Sequence, residues 1–523
     1  MKAFDRGLAD HIVSAVSPQT PPVLAEGSYI VVHAAVSRFA ALYERIRNAV
    51  DYKDEHLLRK SAVRRILKRQ LILESDPFVI ASQLLRELIS ARYLPNGKLP
   101  ESLIEDVALR VRKYREIERC RVGSDAHLSW LLGIVAVEIE DVLVDSSREK
   151  ALITYLYERL ADRVHIQGAG IEEADLRLQI YIAASKGLTK ADDEMLAYKL
   201  IRAYLPEWIR PSDWIESPQA IAERLIGVER RIRLSLRHPL APRIQRAIKP
   251  WAASLVILRD TLAEKPGSAA EILASPESLT DAVLRMTERR YQEAKGRLRR
   301  GAVHATLYLF VTKMLVALVL EAPVEYALYG IIAVPALVIN LLLPPGLMVL
   351  VSLFIRIPGK ANTARIQENV LLLLTKDGIP VREIRIPRKR RGLTRALFSL
   401  VYLLMFLVTF GLITVILNAL HFTWVSISIF LFFLCVVSFF AFRLRQSARE
   451  FVIVEGRERF TTVIVDFLSY PILRAGQWLS RSISRLNVFL FILDFLVEAP
   501  FKMFLGVLEE WFAFMKEKKE ELQ

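Results

Sequence analysis

The sequence predicts an all-α protein, with a cytoplasmic helical region, then a polytopic membrane bundle, then a C-terminal amphipathic helical hairpin. Three observations lead there. Apolar residues make up 53% of the 523-residue chain while charged residues stay at 25%, so grease and charge must be segregated along it. Stretches 301–355 and 396–442 hold just three charged residues, Lys313, Glu321 and Glu325, and contain runs long enough to cross a hydrocarbon core of about 30 Å. Elsewhere apolar residues recur at helical spacing, and no block alternates as a half-buried strand would. A wholly soluble chain, a disordered one and a collagen-like one are excluded.

Residues 1–300 read as the cytoplasmic region, built of one helical bundle or two. Asp5, Arg6, Asp10 and His11 interrupt any apolar core of a signal peptide, so the start is expected to stay in the cytoplasm. Val63, Ile66, Leu67 and Leu71 share one helical face. Arg64, Arg65, Lys68 and Arg69 form the opposite face, expected to meet solvent or an acidic partner. Asp76-Pro77 opens a helix through Leu84, Leu85 and Leu88, and Pro95-Asn96-Gly97 closes it. Thr189 and Asp192 have capping-box spacing ahead of a segment ending at Leu205-Pro206. Ser275-Pro276 supplies a cap and a first-turn proline for a pattern running to Arg300. No proline follows until after Leu320, so one helix is expected to leave this region and become the first span. Gly296 and Gly301 are where a hinge would fall instead.

The first membrane pair, 301–355, comprises a run at 302–320, a connection at Glu321–Glu325, and a run at 326–355 bent by Pro335 and Pro344-Pro345-Gly346. Residues 356–395 read as a basic cytoplasmic loop. The second pair, 396–442, turns tightly around His421. Residues 443–523 read as amphipathic C-terminal helices, where Asp494, Glu498 and Lys502 recur at a spacing of four. Four crossings is the first reading; three is the alternative, with 302–320 lying on the surface. Arg297, Arg299 and Arg300 precede the first run, and Arg443, Arg445 and Arg449 follow the last. With the basic cluster of the loop, they place both termini and the loop on the inside.

Chemistry is thinly signalled. There is no Gly-rich phosphate loop with Lys-Ser/Thr, no HExxH, no GxSxG and no CxxC, so neither a catalytic residue nor a cofactor or metal site is assigned. Gly168-Ala169-Gly170 reads as a turn, and the two cysteines, Cys120 and Cys435, are too few for a disulfide framework. Glu138, Asp141 and Asp145 would place three carboxylates on one helix face, able to hold a hard cation or serve acid/base work unless they are simply solvated. Lys313 and Asn340 are polar groups inside apolar runs. Lys313 is expected to snorkel toward Glu321 and the outer surface, or to pair inside the bundle with Asp494 or Glu498 as its candidate partners. Arg388, Lys389, Arg390 and Arg391 are candidates for binding anionic lipid headgroups. Nucleic acid is not an expected partner, because no aromatic platform is interleaved with the basic residues. The function expected is a non-enzymatic membrane scaffold or adaptor that presents residues 1–300 to a protein partner. The alternatives are a transporter or channel subunit built around the broken second helix, and a membrane enzyme using Glu138, Asp141 and Asp145.

Overall fold

The computed structural model describes residues 28–32, 55–167, 171–264, 266–330, 334–355, 358–385, 392–448, 451–454 and 469–478, with single positions elsewhere. Its described residues are α-helical apart from short 3-10 and π turns, irregular connections and two four-residue strands, and they fall into two units.

The first unit comprises Asp5–Ala252 with Ile379–Ile384. Its helices are α1 (Glu55–Leu73), α2 (Pro77–Ser90), α3 (Leu103–Arg119), α4 (Asp125–Leu143), α5 (Ser147–Ala161), α6 (Glu173–Thr189), α7 (Asp193–Tyr204) and α8 (Gln219–Leu236). Local chemistry sets their ends. Asp76 accepts from Phe78 N at 2.9 Å and caps α2, with Pro77 in the first turn. Asp192, rather than Thr189, caps α7 by accepting from Met195 N at 3.0 Å. Thr189 instead ends α6, its hydroxyl turned back to Ser185 O, because the backbone reverses at Lys190, where φ is +50°. The core runs through Val63, Ile66 and Leu67 of α1, Leu84, Leu85 and Leu88 of α2, and Leu131, Ile134 and Val135 of α4. Strand β1 (Val164–Gln167) pairs with β2 (Arg382–Arg385), and Arg382 N donates to Arg163 O at 2.7 Å.

The second unit comprises Ala253–Gly378 with Arg385–Phe489 and carries four helices long and apolar enough to cross a membrane. Ser275 accepts from Ser278 N at 3.1 Å and opens α10 (Pro276–Val316), which follows α9 (Ala241–Glu264). No hinge forms at Gly296 or Gly301. The helix continues through a π turn, Ala317–Glu321, into α11 (Ala322–Tyr329), 54 residues from Pro276 to Tyr329. That is roughly 81 Å at the helical rise. The expected connection at Glu321–Glu325 is therefore helix, and the chain turns at Gly330, where φ is +69°. Pro323 has no N–H to give and crowds the preceding turn; a widened turn just before it lets the helix absorb it.

Helix α12 (Val334–Phe354) keeps Pro344 and Pro345 inside it. Helices α14 (Gly392–Ala419) and α15 (Trp424–Ala448) form the second pair. Between them His421 takes φ +61°, and Phe422 N donates to Leu417 O at 3.1 Å, closing α14 with a Schellman-type cap. Helices α10, α12 and α15 pack through Ala302, Ala305, Leu309, Met348, Phe433 and Val437. Alanines at 302, 305 and 317 let the backbones approach, as small residues do where lipid removes the hydrophobic drive between helices. The outward faces, such as Val303, Leu307, Val311 and Leu315 on α10, are exposed and apolar.

Part of the stretch expected as a basic loop is helix. Helix α13 (Lys360–Leu373) packs on α10. Asn362 Nδ2 donates to Tyr291 Oη and to Phe451 O, both at 2.8 Å, while its Oδ1 accepts from Ile453 N at 2.7 Å and Val454 N at 3.0 Å. Asn369 reaches Ser254 Oγ, Gln367 reaches Thr280 O, and Asp260 of α9 pairs with Arg290 of α10. These contacts form a polar collar around the N-terminal half of α10.

A continuous α10 fixes a distance. Spin labels at the exposed positions Arg285 and Val311 are expected to give one narrow distribution near roughly 39 Å, 26 residues at the helical rise; a broad or much shorter distribution would reveal a hinge.

Candidate functional site

Lys313 does not reach water. It is fully buried, and its Nζ donates to Glu321 Oε2 at 2.8 Å, both side chains having zero exposure. The ammonium also lies 5.1 Å from the centroid of the Phe433 ring. Eight residues of plain α-helix would leave the two side chains about 80° apart around the axis. The π turn takes more residues per revolution, so it rotates Glu321 back under Lys313.

Four further side chains complete the cluster. Asn340 of α12 donates from Nδ2 to Glu321 Oε1 and to Ser426 O, the latter at 3.3 Å. Ser426 Oγ of α15 lies 2.5 Å from Glu321 Oε1 and 2.8 Å from Glu325 Oε1. Thr423 precedes α15, its Oγ1 accepting from Ser426 N at 3.2 Å and also meeting Glu325 Oε1. Glu325 is 1% exposed and Asn340 is buried outright. Two buried oxygens of the cluster, Glu325 Oε2 and Asn340 Oδ1, have no hydrogen-bond partner. A membrane-buried charge costs several kcal/mol when alone, so the arrangement amounts to one cation held by one anion, with a second carboxyl alongside.

The structure thus brings Lys313 and Asn340 together, with Glu321 rather than Asp494 or Glu498 as the partner of Lys313. Asp494 and Glu498 lie outside the described residues, as do Arg388, Lys389, Arg390 and Arg391 and the Gly168–Gly170 turn. Glu325, expected in a connection between spans, is instead buried in helix, and Ser426 and Thr423 were not anticipated: hydroxyls in an apolar run are ordinary, and nothing in the sequence says which will face a carboxylate.

The acidic trio of α4 separates. Glu138 is buried and accepts from Lys113 Nζ at 2.7 Å and Trp208 Nε1 at 3.0 Å. Burial pulls the Lys113 ammonium below the usual lysine range, and Glu138 pulls it part of the way back. Asp141 meets Lys150 at 2.9 Å, and Asp145, beyond the end of α4, accepts from Ser147 N at 2.9 Å. No cluster of three or more His, Cys, Asp or Glu able to hold a metal occurs among the described residues. The basic residues of α1 are mostly spent internally: Arg64 pairs with Glu194, Arg65 with Glu44 and Arg69 with Glu87, while Lys68 is exposed.

Comparison of the chain with protein-family models, with curated proteins and with solved structures finds no match. Lys313→Met or Glu321→Leu alone is expected to cost about 3–5 kcal/mol, because each strands a buried charge, whereas the double replacement costs much less. Unfolding of the full chain in lipid nanodiscs checks this, and losses that simply add would show that the two groups do not act as a pair.

Proposed function

We propose that this chain is an integral membrane adaptor: its helical region, residues 1–300, presents a binding surface to a protein partner on the cytoplasmic side. The observation that carries this reading is the unbroken helix from Pro276 to Tyr329. It joins the collar to the membrane bundle without a hinge, so a force or displacement applied at the collar is passed along a stiff rod. The mixed, mostly self-paired surface of the soluble helices suits protein recognition better than nucleic-acid binding. In this reading the Arg388–Arg391 cluster rests against anionic lipid.

The collar also supports four crossings with both termini inside. Asn362 ties together positions 291, 362, 451, 453 and 454, and two spans between each successive pair of these segments would return all of them to one face of the membrane. Basic residues near those segments agree with that face being the cytoplasmic one.

A second reading, coupled transport, is favoured by the buried ionic cluster, since ionisable groups within spans mark ion routes in many membrane proteins. It lacks the paired helix breaks common in transporters, because α14 and α15 contain no proline.

Proteoliposomes holding the full chain are expected to show no sodium or proton flux above protein-free vesicles, and photocrosslinkers at the exposed Arg112 and Arg224 are expected to trap one discrete protein in cells. Flux above background, with no discrete adduct, would overturn the adaptor reading in favour of transport. For the orientation, cysteines at Gly330 and His421 are expected to react with an impermeant reagent from outside, and those at 388–391 from inside only; the reverse pattern would refute it.

A further inference from the structure

With one acceptor for each hydroxyl hydrogen, the intramembrane cluster has one more oxygen-to-oxygen contact than it has hydroxyl hydrogens. Three oxygen-to-oxygen contacts link Ser426 Oγ to Glu321, Ser426 Oγ to Glu325, and Thr423 Oγ1 to Glu325. Two hydroxyl hydrogens are present to fill them. Asn340 adds none, because both hydrogens of its Nδ2 are committed to Glu321 Oε1 and Ser426 O. A two-centre hydrogen bond at the third contact takes its hydrogen from a carboxyl. Glu321 already accepts from Lys313, Asn340 and Ser426, which is the environment of a carboxylate. Among the described residues no cation is bonded to Glu325, the nearby Lys313 ammonium being bonded to Glu321, and Glu325 Oε2 has no hydrogen-bond partner.

We propose that Glu325 is an intramembrane proton-binding site, its carboxyl carrying an exchangeable proton that bridges through Ser426 to the Glu321 carboxylate. The charge count agrees. Lys313 and Glu321 cancel, and a neutral Glu325 leaves the buried cluster uncharged, whereas an ionised Glu325 would leave a net negative charge between apolar helices. Glu325 Oε2 and Asn340 Oδ1 are both acceptors without donors, so the network is short of hydrogens and not of places to put them. Few other groups can intervene. Helix α12 contributes no titratable side chain, and those of α15 are Cys435, Arg443 and Arg445, nine or more residues beyond Ser426. Tyr326 and Tyr329 on α11 itself, and His421 in the neighbouring turn, are exposed. The site lies four residues, roughly 6 Å, from the end of α11 at Tyr329, within reach of protons from the surface where the helices turn. This inference does not depend on what the soluble helices bind.

The test uses the full chain in lipid nanodiscs at neutral pH without sodium. The infrared spectrum is expected to contain a protonated-carboxyl C=O band that shifts in D2O and disappears in Glu325→Gln. The apolar reagent dicyclohexylcarbodiimide takes up the hydrogen of a protonated carboxyl on one nitrogen while its central carbon bonds the carboxyl oxygen; acyl transfer to the other nitrogen then leaves a stable adduct. That adduct is expected on Glu325 and not on Glu321. Glutamine mimics a neutral carboxyl, so Glu325→Gln should leave the unfolding midpoint where it is, while Glu321→Gln should lower it by several degrees. Absence of the band, an adduct on Glu321 in place of Glu325, or a midpoint loss in Glu325→Gln equal to that in Glu321→Gln would each overturn the proposal. So would a band that sodium abolishes, which would assign the site to a metal cation.

Discussion

An ammonium enclosed by hydrocarbon must have an anion within hydrogen-bond reach, and the membrane half of this protein is organised around meeting that condition for Lys313. The anion, Glu321, sits on the same stretch of helix, two turns on, at an angle that regular α-helix would get wrong. A π turn corrects the angle, and the same widened turn accommodates Pro323. Asn340 and Ser426 then approach from two other helices to fill the remaining acceptor sites of Glu321. One salt bridge thereby fixes the rotation of α10 and the facing surfaces of α12 and α15. Around it the packing is unspecialised: alanines where backbones approach, and leucine, methionine, phenylalanine and valine elsewhere.

The all-α class, the four helices long and apolar enough to cross a membrane and the long helix across Gly296 could be read from periodicity and from the absence of proline between Leu279 and Leu320. Much of the site could not. Glu-Ala-Pro-Val-Glu has the composition of a connection, with two charges and a proline between apolar runs, and only a non-α turn lets it remain helix. Lys313 and Asn340 stood out individually because polar groups are costly in a bilayer, but their meeting depends on that turn. Ser426 and Thr423 gave no signal, since hydroxyls can satisfy themselves on their own helix. Helix α13 was hidden by the charge of its flanks, which made the whole stretch look like loop. The strands were missed because each is four residues long and its partner is more than two hundred positions away. In the N-terminal helices the basic face of α1 looked solvated, but the carboxylates it meets come from residues 44, 87 and 194, and no local pattern announces them.

Asn362 does outside the apolar region what Glu321 does inside it. All four of its hydrogen-bonding positions are filled, by one tyrosine hydroxyl, one carbonyl and two backbone amides. A buried amide satisfied so fully is specific about its neighbours, because any shift in register leaves a polar group unpaired. Each half of α10 is therefore held by polar contacts, while its outward residues Val303, Leu307, Val311 and Leu315 are apolar and exposed.

Because Lys313 and Glu321 lie on one segment, their neutralisation does not wait for the rest of the bundle. A translocating chain can carry this pair into the bilayer as a single first span, already without net charge, and the energetic obstacle that a lone lysine would raise during insertion is removed at the outset. Asn340 arrives with the next helix and Ser426 only with the last. The order of residues along the gene thus matches the order in which the buried charges can be quieted as the protein is made.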